Sequence, residues 1–131
     1  MTQRLFCDTS EEFSNKLVEA EKLSTESNLP LFILFTGAVV AETGKSWCPD
    51  CVAADPIIEA CLDGLMGSIL LVCPVIREEY RNPEYLYRKH PVFKIACVPT
   101  FIKYGDGKVK YRLNDSQSQD QELVLELVNE L

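Results

Sequence analysis

The chain has 131 residues, of which 47% are hydrophobic and 25% are charged, the usual composition of a globular domain. This length predicts a single domain spanning residues 1–131, with one hydrophobic core. The formal net charge of -7 argues against nucleic acids and anionic membranes as partners, because both bind mainly through lysine and arginine. We find neither an apolar stretch near the roughly 20 residues that cross a bilayer nor a secretory signal, so we expect a cytoplasmic location.

The first half of the chain predicts a helix, a strand and a second helix. A helix is expected after Ser10, because apolar residues recur there at helical spacing: Phe13, Leu17, Ala20 and Leu23. Residues 31–35 form a continuous apolar run, which is typical of a central strand buried on both faces. Residues 37–46 are predicted as a loop, Pro49 as the start of the second helix, and residues 5–7 as an edge strand.

The second half predicts a further strand, a short helix, a hairpin and a final helix. Residues 69–73 are apolar, and Asn-Pro at the start of residues 82–90 predicts a short helix. Residues 98–104 and 108–113 flank a Gly-Asp-Gly turn, which indicates a β-hairpin. The final helix is expected to turn one apolar face inward, formed by Leu123, Leu127 and Val128. This alternation predicts an α/β fold with a central mixed β-sheet and helices on both faces.

One short segment carries most of the chemical information: Trp47-Cys48-Pro49-Asp50-Cys51. Pro49 suits the first position of a helix, so Cys48 becomes the N-cap residue, where free N–H groups and the helix dipole favour a thiolate. We expect Cys48 to be exposed, and Cys51, one turn further on, to be shielded and protonated. The negative charge of Asp50 opposes formation of a thiolate beside it. The apolar side chain of Trp47 is expected to limit the access of water to the motif.

Two cysteines at this spacing can also bind zinc, but a structural zinc site takes four ligands, usually from two such pairs. The chain has no second Cys-x-x-Cys or Cys-x-x-His pair, and its one histidine is His90. No metal site is therefore predicted. His90 precedes Pro91 at a predicted helix end, where an interaction with the helix dipole or a solvated role is favoured over a catalytic one.

The motif resembles the thioredoxin superfamily, because Pro56 follows Cys51 by five residues and Val98-Pro99-Thr100 follows further along the chain. Gly-Lys-Ser before the tryptophan and Lys-Tyr-Gly at residues 103–105 are similar to the thioredoxin domain-containing protein 17 family within it. The resemblance covers approximately residues 31–110 and implies a thioredoxin-like fold.

The resemblance also implies roles for single residues. Cys48 would be the attacking nucleophile and Cys51 the resolving cysteine, supported by Trp47, Pro49 and Asp50. Pro99 resembles a cis-proline that faces the redox pair, which would leave the backbone of Val98 free to pair with an extended substrate. Pro56 resembles a helix-kinking proline with a structural role.

Two features depart from ordinary thioredoxins, which carry a buried aspartate in the strand below the cysteines. Residues 34–36 contain no carboxylate here, so another group must deprotonate Cys51, with Asp50, Glu42 and water as candidates. The loop at residues 37–46 also exceeds the usual 2–6 residues of such a connection. We expect this loop to prevent broad protein surfaces from reaching the cysteines. The alternative is an insertion with no effect on function.

Four further cysteines lie outside the motif. Cys61 and Cys73 are expected in the core. Cys7 is expected to be packed or to lie near an edge, with no chemistry implied. Cys97, two residues before Pro99, is a candidate regulatory thiol open to glutathionylation or cross-linking, and an inert thiol is the alternative.

These features predict a cytoplasmic protein-disulfide reductase that uses Cys48 and Cys51. The resemblance implies selected protein disulfides, small disulfides such as cystine, and peroxide as substrates. It implies no bound cofactor, with electrons arriving from NADPH through thioredoxin reductase, and we expect a monomer. The alternatives are a redox-controlled protein-binding module without turnover and a zinc-binding domain.

Overall fold

A computed structural model describes residues 1–130 and contains a five-stranded sheet with the order β1-β5-β2-β6-β7. The strands are β1 (Thr2–Phe6), β2 (Leu31–Gly37), β3 (Val39–Val40), β4 (Lys45–Ser46), β5 (Ser68–Val75), β6 (Thr100–Gly105) and β7 (Lys108–Leu113). The helices are α1 (Phe13–Ser27), α2 (Pro49–Asp63), α3 (Arg77–Tyr80), α4 (Leu86–Lys89) and α5 (Gln121–Val128). Strand β5 is parallel to β1 and β2, whereas β6 is antiparallel to β2 and β7, so the predicted mixed α/β sheet is confirmed.

Every residue of β2 is buried, which explains its unbroken apolar sequence. Ile33 and Phe35 on one face join a cluster that includes Phe13 of α1. Phe32 and Leu34 on the opposite face pack with residues of α2 and α5. Each of these large side chains stabilises the fold by about 1.5–3 kcal/mol through burial, and the two clusters fix helices on both sides of the sheet.

Three of the predicted elements are wrong in detail. The loop predicted at residues 37–46 contains a small hairpin, in which β3 pairs with β4. The helix predicted at residues 82–90 is reduced to the single turn α4, because the Oδ1 atom of Asn82 accepts the N–H of Glu84 at 2.9 Å and forms a turn where the helix was expected to start. Helix α3 lies before residue 82 and was not predicted. The edge strand ends at Phe6 rather than Cys7.

The sheet and α2 together place the cysteine motif at the end of β2, where the N–H of Gly37 donates to Cys51. Strand β6 begins at Thr100, so Val98 and Pro99 lie in the segment before it rather than within the strand. Pro56 lies inside α2, as predicted. No helix among residues 1–130 is long and apolar enough to cross a membrane.

Candidate functional site

The first cysteine of the motif caps helix α2. Cys48 has extended backbone angles, with φ of -104° and ψ of 110°, and Pro49 follows at the first helical position. The backbone N–H of Cys51 donates to the Sγ atom of Cys48 at 3.3 Å. This N–H is one of the donors that a helix leaves unpaired in its first turn, so the helix start itself holds the sulfur.

Cys48 is nevertheless only 5% exposed, and the prediction that it would be exposed is wrong. Its Sγ atom lies 3.5 Å from the carbonyl oxygen of Val98, and the Oγ atom of Ser46 accepts its backbone N–H at 3.1 Å. The segment before β6 therefore covers the sulfur, while the β3–β4 hairpin holds the backbone of Cys48.

The second cysteine, Cys51, is fully buried beneath the first. Burial, together with the contact with the Cys48 thiol, raises the pKa of Cys51 to about 12, although the N–H of Gly37 opposes this rise by donating to its Sγ atom at 3.2 Å. Cys51 is therefore a protonated thiol at neutral pH.

Gly37 is a site residue that the sequence analysis missed. A Cβ atom added at this position would lie 2.6 Å from Oγ of Ser46 and 2.9 Å from Cβ of Cys48. Such contacts are shorter than atoms tolerate, so the close approach of β2 to the motif requires glycine. A glycine at the end of a buried apolar run, shortly before the cysteine motif, was the available signal.

The other predicted supporting residues surround this pair. The Nε1 atom of Trp47 donates to the carbonyl oxygen of Val75 at 2.7 Å, which fixes the indole beside the motif. The Val98–Pro99 peptide bond is cis. The backbone N–H of Val98 has no hydrogen-bond acceptor within residues 1–130, and its role in substrate binding stays a prediction. The side chain of Asp50 is exposed.

Cys97 is half-buried in the segment that leads to β6. Its Sγ atom lies 3.7 Å from Oγ1 of Thr100 and 4.0 Å from the carbonyl oxygen of Pro99. The thiol is thus near the segment that encloses Cys48, and its regulatory role stays a prediction.

Cys61 and Cys73 lie in the core, as predicted, but Cys73 has an unexpected neighbour. Cys7 is fully buried and follows Phe6, which pairs with Val72 on the adjacent parallel strand. A hydrogen bond from the Cys73 thiol lowers the pKa of Cys7, while burial raises the pKa of Cys73. The Sγ atom of Cys7 also lies 3.3 Å from the hydroxyl of Tyr87.

Two further polar groups near the motif were missed from the sequence. Oγ1 of Thr36 and Oδ1 of Asp55 are buried, and neither has a hydrogen-bond partner within residues 1–130. Both residues line a cavity of about 370 Å³ that also contacts Gly37. Burial raises the pKa of Asp55, and the charge of Glu59 adds to the rise. The spacing of Asp55, four residues after Cys51, was the available signal.

Metal ligands are not grouped in the part of the chain that the structure describes. Within residues 1–130, no three histidine, cysteine, aspartate or glutamate side chains lie close enough together to hold a metal ion. His90 contacts the aromatic rings of Phe13 and Phe93, at centroid distances of 5.5 and 4.8 Å. The histidine is therefore part of an aromatic cluster.

Curated relatives include proteins of similar length. The thioredoxin-like protein Clot of Arabidopsis thaliana is 34% identical over 87% of each chain. Human thioredoxin domain-containing protein 17 is 36% identical over 76% of this chain and 78% of its own. An acireductone dioxygenase of Leishmania braziliensis is 42% identical over 71% of this chain, but the chain spans only 29% of the length of that protein.

Solved structures support the same fold. The crystal structure of oxidised thioredoxin O1 from Arabidopsis thaliana superposes with a TM-score of 0.51 at 18% identity, covering 86% of this chain and 85% of that one. The thioredoxin-like fold predicted from the sequence is therefore confirmed. Residues 7–130 also match the family model described as thioredoxin domain-containing protein 17-like, thioredoxin domain. The chain therefore belongs to the thioredoxin domain-containing protein 17-like family of the thioredoxin superfamily.

Proposed function

We propose that this protein is a disulfide reductase that exchanges the thiols of Cys48 and Cys51 for the disulfide of a substrate. Redox chemistry by disulfide exchange is the general function of the thioredoxin-like family to which the chain belongs. The observation that carries the narrower proposal is the helix start, where Cys48 Sγ accepts the N–H of Cys51 at 3.3 Å. This contact holds the Cys48 sulfur against the first turn of the helix, next to the residue that would resolve the mixed disulfide.

In the proposed reaction, the Cys48 thiolate attacks one sulfur of the substrate, and the other half of the substrate leaves as a thiol. Cys51 then attacks Cys48, which releases the second half and leaves a Cys48–Cys51 disulfide. The free N–H of Val98 would pair with the backbone of an extended substrate, while Trp47 and Pro99 would flank it. Pro49 and Asp50 act through the helix start that they form.

The proposed substrates are small disulfides such as cystine and flexible protein disulfides, with peroxide as a further candidate. Support for this choice comes from the 5% exposure of Cys48 and from the β3–β4 hairpin beside it, because an enclosed sulfur excludes broad surfaces. We further propose that NADPH supplies electrons through thioredoxin reductase, without a bound cofactor. In the same proposal the protein acts as a monomer in the cytoplasm.

A coupled assay tests this proposal. The reduced protein is mixed with NADPH, thioredoxin reductase and either cystine or insulin, and the loss of NADPH is followed. Turnover that depends on Cys48 and survives Cys97→Ser supports a reductase. Binding of a partner without turnover, retained in Cys48→Ser, supports instead a redox-controlled binding module. Stoichiometric zinc in the purified protein would support the zinc-binding alternative.

A second experiment identifies the substrates. The Cys51→Ser variant removes the resolving thiol, so substrates should stay attached to Cys48 as mixed disulfides. Mass spectrometry of these adducts would name them. The same adducts should be absent from a variant that carries both Cys48→Ser and Cys51→Ser.

A further inference from the structure

The reductase reaction requires a base that the structure must supply near Cys51. Burial raises the pKa of this thiol to about 12, so it is almost entirely protonated at neutral pH. Only a thiolate attacks a disulfide efficiently. The two carboxylates suggested by the sequence, Glu42 and Asp50, are both exposed.

Asp55 is the carboxyl group best placed for this task. It lies on α2, four residues beyond Cys51, and therefore on the same face of the helix. Its Oδ1 atom is buried without a partner among residues 1–130. An unpaired buried carboxylate oxygen destabilises a fold, so its retention here calls for a functional explanation.

The Thr36 hydroxyl is a second buried polar group without a partner at this site. It lies close enough to Cys51 to lower the pKa of that thiol, and it has no hydrogen-bond partner within residues 1–130. Thr36 and Asp55 line the same cavity of about 370 Å³. One water molecule needs about 10–15 Å³ of such volume, so the cavity, although lined mainly by apolar groups, has room for water between the two oxygen atoms.

The charged groups around Asp55 are compatible with proton uptake. Lys45 of β4 lines the same cavity, and Arg4 of β1 and Glu59 of α2 line the adjoining groove. Arg4 forms an ion pair with Glu59, which leaves the Asp55 carboxyl without a salt-bridge partner among residues 1–130. Burial and Glu59 raise the pKa of Asp55 towards the working range of a general base.

We infer that Asp55 accepts the proton of Cys51 through the Thr36 hydroxyl and cavity water, an inference that rests on the proposed reductase function. The Sγ–H bond of Cys51 breaks, and its proton passes to the Asp55 carboxylate. The thiolate then forms a bond with Cys48 Sγ, and the bond from Cys48 to the substrate sulfur breaks. The two cysteines lose two electrons to the substrate, and its leaving thiolate takes a proton from solvent. Asp55 is thus a relay residue that does not touch the reacting sulfurs.

Single-turnover kinetics with cystine separate the two steps. Samples quenched with acid and analysed by mass spectrometry give the rates at which the mixed disulfide on Cys48 forms and resolves. In Asp55→Asn we expect formation at the wild-type rate and resolution roughly 10²-fold slower at neutral pH. The defect should shrink as the pH rises towards that at which Cys51 ionises unaided, and Asp55→Glu should restore much of the rate.

Matched variants distinguish the relay from a loss of structure. Thr36→Val should slow resolution as Asp55→Asn does, whereas the conservative Thr36→Ser, and Glu42→Gln at an exposed carboxylate outside the relay, should resolve at nearly the wild-type rate. Wild-type resolution in both Asp55→Asn and Thr36→Val would overturn the relay, as would a defect that slows both steps equally at every pH. If the wild-type protein forms no mixed disulfide with cystine or insulin, the reductase proposal itself fails and the relay fails with it.

Discussion

The protein brings cysteines together twice, and the two pairs have very different surroundings. Cys48 and Cys51 lie at the start of one helix, and backbone N–H groups donate to both sulfurs. Cys7 directly follows β1, Cys73 lies in the neighbouring parallel strand β5, and both are fully buried. Two thiols thus lie close together in two different settings, and within residues 1–130 only the first pair has backbone N–H donors at both sulfurs.

The largest expected difference between the pairs is in turnover. Cys48→Ser should reduce NADPH-coupled reduction of cystine to the level of the buffer control, because no other thiol has the same helix-start contact. Cys7→Ser should retain turnover in its folded fraction, because Cys7 lies in the core. Loss of turnover in a folded Cys7→Ser protein would show that the buried pair also takes part in catalysis.

The second-largest effect is expected at Gly37, which contacts the Cys48–Cys51 pair but not the Cys7–Cys73 pair. Gly37→Ala places a Cβ atom 2.9 Å from that of Cys48, so the motif must shift. Displacement of about 1 Å can cost roughly 10²-fold in rate, and we expect turnover to fall by about that factor. Gly64→Ala is the control, because its nearest neighbour would lie at an ordinary 3.4 Å. Equal activity of the two variants would contradict the close approach seen here.

The buried pair should instead contribute to stability. Cys73→Ser replaces a fully buried thiol with a hydroxyl that needs a stronger partner, and we expect a loss of about 1–3 kcal/mol in the free energy of unfolding. Urea denaturation would measure this change. Cys97→Ser, at a half-buried position, should change stability by less than about 0.5 kcal/mol. Similar losses of unfolding free energy in both variants would contradict the expected difference between a core cysteine and a half-buried one.

The smallest effect is a gain in stability at the redox end of the molecule. Because burial raises the pKa of Asp55 above its unfolded value of 3.8, the folded chain binds more protons than the unfolded chain as this group titrates. The free energy of unfolding therefore decreases as the pH rises from the unfolded to the folded pKa of Asp55. Asp55→Asn should remove this decrease, because the amide does not titrate. We expect the variant to be about 1 kcal/mol more stable than wild type at neutral pH. A difference between the two proteins that does not vary with pH would contradict a buried, titrating carboxyl group.

Most elements were predictable where the signal was local and continuous. The apolar run of β2, the helical spacing in α1 and the Gly-Asp-Gly turn each determined an element. Residues 82–90 were mispredicted because the Asn82 side chain forms a turn instead of starting a helix. The β3–β4 hairpin was missed because two-residue strands carry almost no hydrophobic pattern.

The sequence by itself determined the redox motif, because the spacing of Cys48 and Cys51 and the position of Pro49 act within one helical turn. Only the tertiary structure decided which groups surround that motif. The burial of Cys48 depends on a segment 50 residues away, and Thr36 and Asp55 line one cavity because β2 packs against α2. Contacts between distant segments depend on strand order and register, which no local pattern specifies. The same reason explains why the Cys7–Cys73 neighbourhood appeared only in the folded chain.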